Sequence, residues 1–193
     1  MDTVKIKHRE FQIVEAISDN SFILERKGKK YFGRKFTPRS IEGNELSYAL
    51  LKIKNSGVKY PKLYYVDEKN GYAVSEYIIG EKMTEYLSKN DMSDELFEQL
   101  FKIAYIARLS HMTLNYEPDK WWLVNGELFY MYPLFISYDK SKDLAERYIR
   151  LWFNTKELAN FMAKNGVFYD KSRIKDEYST NKEIVLKVCK YYR

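Results

Sequence analysis

The sequence predicts an α+β fold in two lobes, with an antiparallel sheet and one helix first and a mainly helical half after it. Three tight-turn signals between β-prone runs, apolar residues at helical spacing, and the order of these segments indicate that layout. The length of 193 residues suits two small lobes. We expect residues 1–79 to form the N-terminal lobe and residues 80–193 a reduced C-terminal lobe.

Three turn signals predict β-hairpins along the chain. They are Lys27-Gly28 between residues 22–24 and 31–32, Asn70-Gly71 between 63–66 and 72–74, and Asn125-Gly126 between 121–124 and 128–131. An Asn-Gly pair favours a hairpin because both central positions of the tight turn need a positive φ.

The spacing of apolar residues predicts four helices. The apolar positions that indicate them lie within residues 46–53, 94–111, 141–164 and 180–191. The second helix is apolar nearly all the way round, which predicts burial at the centre of a lobe. Thr180 and Glu183 have the spacing of a capping box, so the last helix should begin at Thr180.

The composition is that of a folded protein with a core, since 45% of the residues are hydrophobic and 17% are aromatic. No apolar run approaches the roughly 18 residues that span a bilayer, and the N-terminus lacks the layout of a signal peptide. We therefore expect a cytoplasmic protein that does not contact membranes. Cys189 is the one cysteine, which excludes internal disulfides and a zinc site built from cysteines.

Three segments resemble those of the protein-kinase-like superfamily in their amino-acid sequence and in their order along the chain. They read ELSYALL from Glu45, GVKYPKLYYVD from Gly57 and AVSEYIIG from Ala73. They are similar to the glutamate segment of helix C, the following strand and the hinge of small atypical kinases. The likeness is closest to the kinase of the KEOPS tRNA-modification complex, and RIO kinases and aminoglycoside phosphotransferases share parts of it. It covers roughly residues 11–150.

The resemblance implies a nucleotide site that holds ATP. In such kinases a strand lysine contacts the phosphates and pairs with the helix-C glutamate. We assign these roles to Lys35 and Glu45, because this register places Gly33 on the same strand face as Lys35, above the adenine. The alternative register, with Arg34 as the phosphate ligand, would place Phe32 over the adenine and crowd it.

Two further features bear on nucleotide binding. Glu76 lies in the segment that resembles the hinge, which implies a contact with the nucleotide. The loop that should cover the phosphates, residues 16–21, contains no glycine, although glycines allow backbone N–H groups to approach phosphates closely. Asp19 in that loop would also repel a triphosphate.

The catalytic positions of the family hold other residue types in this sequence. By resemblance, Asn115 stands where the catalytic aspartate belongs, and Lys120 and Tyr132 stand where the two metal ligands belong. An amide cannot accept the substrate's proton, an ammonium has no lone pair, and a tyrosine stays protonated at neutral pH. A second register, with His111 and Thr113 at the catalytic loop, also lacks the aspartate. We therefore do not expect a magnesium ion.

The sequence favours a catalytically inactive pseudokinase that acts as a binding or regulatory scaffold for a protein partner. One alternative is an unorthodox ATP-dependent phosphotransferase, acting on a protein or a small molecule, in which Glu117, Asp119 or Asp139 replaces the missing groups. Another is a module that binds RNA or tRNA through its basic tail. The net charge is +6, and the segment from Lys171 to Arg193 has seven basic residues against three acidic ones.

Overall fold

A computed structural model describes residues 2–39, 41–132 and 135–191, except for the side chains of residues 41–47 and 50. The chain divides into two compact units. Met1–Asn55 and Tyr60–Ile79 form the first, and Ser56–Lys59 and Gly80–Arg193 form the second. Within the described residues, no helix is both long enough and apolar enough to cross a membrane.

The first unit is an antiparallel sheet with one helix. Its elements are β1 (Thr3–Ile6), β2 (Arg9–Ser18), β3 (Ser21–Arg26), β4 (Lys29–Lys35), α1 (Ile41–Ser56), β5 (Leu63–Asp67) and β6 (Tyr72–Glu76). The six strands lie side by side in the order β1-β2-β3-β4-β6-β5. The side chains of Ile6, Phe11, Phe22, Leu24 and Val74 are buried together and form the main core of this sheet.

Two of the three predicted hairpins have the expected tight turn. Lys27 and Gly28 both have positive φ between β3 and β4, and so do Asn125 and Gly126 in the second unit. The hairpin at Asn70-Gly71 is also present, but its loop spans residues 68–71 and only its glycine has a positive φ. The Asn70 N–H donates a hydrogen bond to the Asp67 carboxylate over 3.1 Å, which fixes this longer turn.

A fourth hairpin, between β1 and β2, was not predicted. Its turn residues Lys7 and His8 both have positive φ, which is uncommon without glycine or asparagine. The buried Asp67 carboxylate accepts the Lys7 N–H over 2.7 Å and so holds the turn. Burial of Asp67 favours its neutral form, but the hydrogen bonds from Lys7 and Asn70 outweigh burial and lower its pKa. The turn therefore depends on a carboxylate that is distant in the sequence.

The second unit combines short strands with helices. Its elements are β7 (Glu81–Lys82), α2 (Met83–Lys89), α3 (Asp94–Leu109), β8 (Met112–Thr113), β9 (Trp121–Val124), β10 (Glu127–Tyr130), β11 (Ile136–Ser137), α4 (Lys156–Lys164) and α5 (Glu177–Tyr191). The strands form a three-stranded sheet in the order β10-β9-β7 and a separate pair, β8 with β11.

Helix α3 was predicted to be buried nearly all round, and this is correct for one face only. Its buried residues include Leu100 and Ala104, whereas Tyr105 and Leu109 are exposed. The helix begins after Ser93, whose hydroxyl accepts the Leu96 N–H over 3.3 Å. The exposed side gives α3 an ordinary amphipathic arrangement.

The other two predicted helices of this unit differ from the sequence-based expectation. Residues 141–164 do not form one helix: short 3₁₀ and π turns lie before Thr155, and α4 begins after it. The Thr155 hydroxyl accepts the Leu158 N–H over 3.0 Å and caps α4. Helix α5 begins at Glu177, because the Asp176 carboxylate accepts the Ser179 N–H over 2.9 Å. The capping box predicted at Thr180 was therefore wrong.

Candidate functional site

The loop between β8 and β9 carries two of the three predicted catalytic positions, Asn115 and Lys120, and is held by buried aromatic rings. Tyr116 stacks on Trp121, with 6.1 Å between the ring centroids and 8° between the planes. The Trp121 indole N–H donates to the Asn115 carbonyl over 2.9 Å, and the Trp152 indole N–H donates to the Tyr116 carbonyl over 2.9 Å. Tyr116, Trp121 and Trp152 are all buried in the core, and the two tryptophans fix the loop backbone at Asn115 and Tyr116.

The side-chain amide of Asn115 is engaged on both sides. Its oxygen accepts the Glu117 N–H over 2.9 Å, and its nitrogen donates to the Glu117 carboxylate over 3.1 Å. Its backbone N–H donates to the Tyr130 hydroxyl over 3.1 Å. Burial raises the pKa of Tyr130, so this phenol stays neutral in the physiological range. Asn115 therefore shapes the loop, and its amide has no proton-accepting role.

Lys120 and Tyr132 are brought together by the register of the β9–β10 hairpin. The Met131 N–H donates to the Lys120 carbonyl over 2.8 Å, which sets Lys120 opposite Met131, the residue before Tyr132. The Lys120 ammonium lies 5.5 Å from the centroid of the Tyr132 ring, and it also forms an ion pair with the Asp119 carboxylate. The two positions predicted to have lost their metal ligands are therefore adjacent and hold a cation of the protein itself.

These residues do not fit a magnesium ion. Magnesium takes carboxylate and water oxygens, whereas positions 120 and 132 offer an ammonium and a neutral phenol. No group of three or more histidine, cysteine, aspartate or glutamate side chains that could hold a metal occurs in the part of the chain that the structure describes. The nearest carboxylate, Asp119, pairs with Lys120 through one oxygen, and its other oxygen is buried without a hydrogen bond from the described residues.

Asp139, one of the suggested substitute carboxylates, has a local structural role. It accepts hydrogen bonds from the Ser141 N–H over 3.0 Å and the Ser141 hydroxyl over 2.7 Å, and it lies 3.4 Å from the Lys142 ammonium. The hydrogen bonds from Ser141 lower the pKa of Asp139. Its carboxylate thus caps a 3₁₀ turn, and the lowered pKa makes it a weaker base.

Gly33 lies on β4 directly opposite Phe22 on β3. A Cβ atom at position 33 would lie 2.5 Å from Cδ2 of Phe22 and 2.9 Å from Cδ1 of Leu24. The Phe22 ring therefore covers the strand face where the adenine was expected. Sequence reasoning missed Phe22, although counting outward from the Lys27-Gly28 turn pairs residue 22 with residue 33.

The other predicted nucleotide ligands lie in the first unit, as Gly33 does. Lys35 is exposed, and its backbone N–H donates to the Asn20 carbonyl over 2.8 Å. The side chain of Glu45 lies outside the described residues, so its pairing with Lys35 stays a prediction. Glu76 binds the backbone of Lys62 twice: its N–H donates over 2.8 Å, and its carboxylate accepts over 3.2 Å. Glu76 thus extends the pairing of β5 and β6.

The basic tail uses several of its cations to bind its own unit. Four of them form ion pairs: Arg173 with Asp91, Lys175 with Glu183, and Lys187 and Lys190 with Asp94. The Tyr191 ring also stacks on Phe101, with 5.9 Å between the centroids. Arg193 lies outside the described residues. The tail therefore presents less free positive charge than its sequence indicates.

No protein-family model matches this sequence, and no curated protein matches it. Among the solved structures that it resembles is the kinase PK-1 of Cydia pomonella Granulovirus, with a TM-score of 0.51 and 12% sequence identity. The fold is kinase-like. The match covers 66% of this chain and 52% of the viral kinase, so this chain spans about half the length of that protein. At this identity the likeness confirms the predicted fold class alone; the nearer likeness to the KEOPS kinase, RIO kinases and aminoglycoside phosphotransferases stays a prediction.

Proposed function

We propose that the chain is a kinase-like protein that does not transfer phosphate and that acts by binding a partner protein. The observation that carries the proposal is the position of the Lys120 ammonium, which contacts both the Asp119 carboxylate and the Tyr132 ring. In an active protein kinase, the residues at the two corresponding positions hold the metal ions that neutralise the phosphates.

The positive charge of Lys120 argues against a metal-dependent reaction. The Lys120 ammonium would repel a divalent cation, and its ion pair already engages the Asp119 carboxylate. Tyr132 offers a phenol where magnesium would take a carboxylate. Two metal-ligand positions are therefore replaced by a cation of the protein and a neutral ring that faces it.

The missing general base supports the same proposal. Asn115 cannot accept a proton from a substrate hydroxyl, and its amide is bonded to Glu117 at both of its polar atoms. Loss of a general base alone slows an enzyme by roughly 10²–10⁴-fold. The substitute carboxylates are engaged as well, since Glu117 binds Asn115, Asp119 binds Lys120 and Asp139 caps a turn. An unorthodox phosphotransferase thus receives less support.

The strand face that bears Gly33 also limits nucleotide binding. Because the Phe22 ring lies against Gly33, an adenine can approach this face only when that ring turns away. Lys35 remains exposed and could contact phosphates without a metal. We propose that ATP, where it binds, has a structural role and does not require magnesium.

Exposed apolar side chains favour a protein as the partner. Tyr178, Val185 and Leu186 share one side of α5, and they are 80%, 58% and 60% exposed. Exposed apolar patches of this kind mark surfaces that bind other proteins.

A phosphate-transfer assay tests the proposal. The purified protein is incubated with radiolabelled ATP, magnesium or manganese, and a general acceptor such as casein. We expect the wild type and the Lys35→Ala variant to give the same background label. Label on the protein or on casein that requires Lys35 would overturn the proposal, and a matched Lys30→Ala variant shows whether loss of any exposed lysine has that effect.

A further inference from the structure

Four aromatic side chains of the first unit form a continuous cluster. The ring centroids of Phe11 and Tyr31 are 5.6 Å apart, as are those of Tyr31 and Tyr64. Tyr65 completes the group, with centroids 6.3 Å from Tyr64 and 6.4 Å from Phe11. Phe11 is buried, whereas the three tyrosines are half-buried and keep part of their rings at the surface. The strands of one sheet hold all four rings.

Four cations lie over these rings. The Arg9 guanidinium is 4.4 Å from the centroid of Tyr65, and the Arg26 guanidinium is 6.0 Å from that of Phe11. The remaining two cations are lysines: Lys29 lies 5.7 Å from Tyr31 and 5.5 Å from Tyr64, and Lys62 lies 5.6 Å from Tyr64. We call these four cations and four rings the basic–aromatic cluster. None of them is a predicted catalytic or nucleotide-binding residue.

The cations of the cluster take no part in the ion pairs of the described residues. Within the described residues, none of its four cations has a carboxylate within 4.0 Å. The acidic residue nearest in the sheet to Lys62, Glu76, binds the Lys62 backbone instead. The chain that passes through the cluster is also strongly basic, with seven basic and no acidic residues from Arg26 to Arg39. This contrasts with the C-terminal tail, where four cations are paired.

We propose that the basic–aromatic cluster binds a single-stranded polynucleotide. Free cations next to partly exposed tyrosine rings suit a ligand that alternates phosphates with flat bases, because the cations contact the phosphates and the bases stack on the rings. The tyrosine side chains bear polar hydroxyls, which favours this ligand over a bilayer that takes inserted apolar side chains. The proposal goes beyond the proposed scaffold function and places nucleic-acid binding on the sheet, away from the basic tail.

Fluorescence anisotropy with labelled oligouridine and oligothymidine of about 20 nucleotides, at about 0.05 M salt, tests the proposal. The variant is Arg9→Gln, Lys29→Gln, Lys62→Gln, and the matched control is Lys102→Gln, Lys156→Gln, Lys164→Gln, which removes the same charge from exposed positions of the second unit. We expect the cluster variant to bind at least about tenfold more weakly than the control. Loss of three phosphate contacts should also reduce the slope of log affinity against log salt by about 2.

A second variant tests the stacking contribution and keeps the charge. Tyr64→Leu should weaken binding to both oligonucleotides by about tenfold while leaving the salt slope unchanged. Circular dichroism and thermal unfolding check that each variant is folded. If a variant does not fold, the salt dependence of binding by the wild type still tests the proposal. Three outcomes would overturn the proposal: no binding by the wild type, equal weakening in the cluster and control variants, or binding to phosphatidylserine vesicles in the absence of oligonucleotide binding.

Discussion

The ammonium of Lys120 lies over the ring of Tyr132, 5.5 Å from its centroid. We expect this contact to exclude magnesium, because an ammonium and a phenol supply none of the carboxylate oxygens that the ion takes. The β9–β10 hairpin contributes to this arrangement, because its register sets Lys120 opposite Met131, the residue before Tyr132. The positions that the sequence predicts to correspond to the metal ligands of a kinase thus form a cation–π contact and an ion pair.

Replacing Lys120 should destabilise the protein. In Lys120→Asn, the Asp119 carboxylate loses its ion pair while one of its oxygens is already buried without a hydrogen bond. We expect a loss of about 1–2 kcal/mol in the free energy of unfolding, measured by urea denaturation. Lys102→Asn is the control, since Lys102 is exposed. Equal stability of the two variants would show that the contact contributes nothing.

Gly33 and Phe22 should be energetically coupled. Gly33→Ala places a methyl group against the Phe22 ring and should cost about 1–3 kcal/mol through overpacking. In a Phe22→Val background the same substitution should cost less, because the smaller side chain leaves room. A double-mutant cycle measured by urea unfolding gives the coupling energy, which we expect to be about 1 kcal/mol or more. Simple additivity would contradict the packing role assigned to Gly33.

Asp67 should make the stability of the first unit depend on pH. Its folded-state pKa lies below the ordinary value, so its contribution is present above that value and is lost as the pH falls through the folded pKa. Asp67→Asn should therefore be less stable than the wild type at neutral pH, by about 1–2 kcal/mol. The difference should narrow below about pH 4. Urea unfolding at several pH values measures this; a gap that stays constant with pH would count against a charged Asp67.

The contribution of the tail to thermal stability should depend on the charge of Asp94. Lys187→Glu with Lys190→Glu places two carboxylates beside Asp94 and should lower the midpoint of thermal unfolding. Adding Asp94→Lys should raise the midpoint again, because the ion pairs return with reversed signs. The same Lys187 and Lys190 variant tests the predicted binding of RNA by the tail. Unchanged RNA affinity would dismiss that prediction, and a midpoint that charge reversal leaves unaltered would contradict the anchoring of α5.

The sequence-based predictions succeeded where the signal was local. The Asn125-Gly126 turn was readable because its two residues alone favour the positive φ that the hairpin needs. The Lys7-His8 turn could not be predicted, since its conformation depends on Asp67, a hydrogen-bond acceptor 60 residues away. The long helix expected across residues 141–164 failed because apolar spacing does not reveal the cap at Thr155.

Much of the candidate site could also be predicted from the sequence. Hairpin register sets Lys120 opposite Met131, the neighbour of Tyr132, and sets Phe22 opposite Gly33. The basic–aromatic cluster could not be predicted, because Arg9, Arg26 and Lys62 are separated in the sequence and come together only in the folded first unit. The ion pairs of the tail could not be predicted for the same reason. Asp91 precedes α3 and Asp94 begins it, and both are distant in the sequence from the tail residues that they bind.

We expect Lys120 and Tyr132 to exclude a divalent metal ion. Titration of the protein with Mn²⁺, followed by electron paramagnetic resonance, measures metal binding directly, with and without ATP. We predict that the wild type leaves the signals of free Mn²⁺ and of Mn²⁺ bound to ATP unchanged, whereas the double variant Lys120→Asn, Tyr132→Asp binds the ion. Stoichiometric binding of Mn²⁺ by the wild type, lost in Asp119→Asn, would contradict the claim.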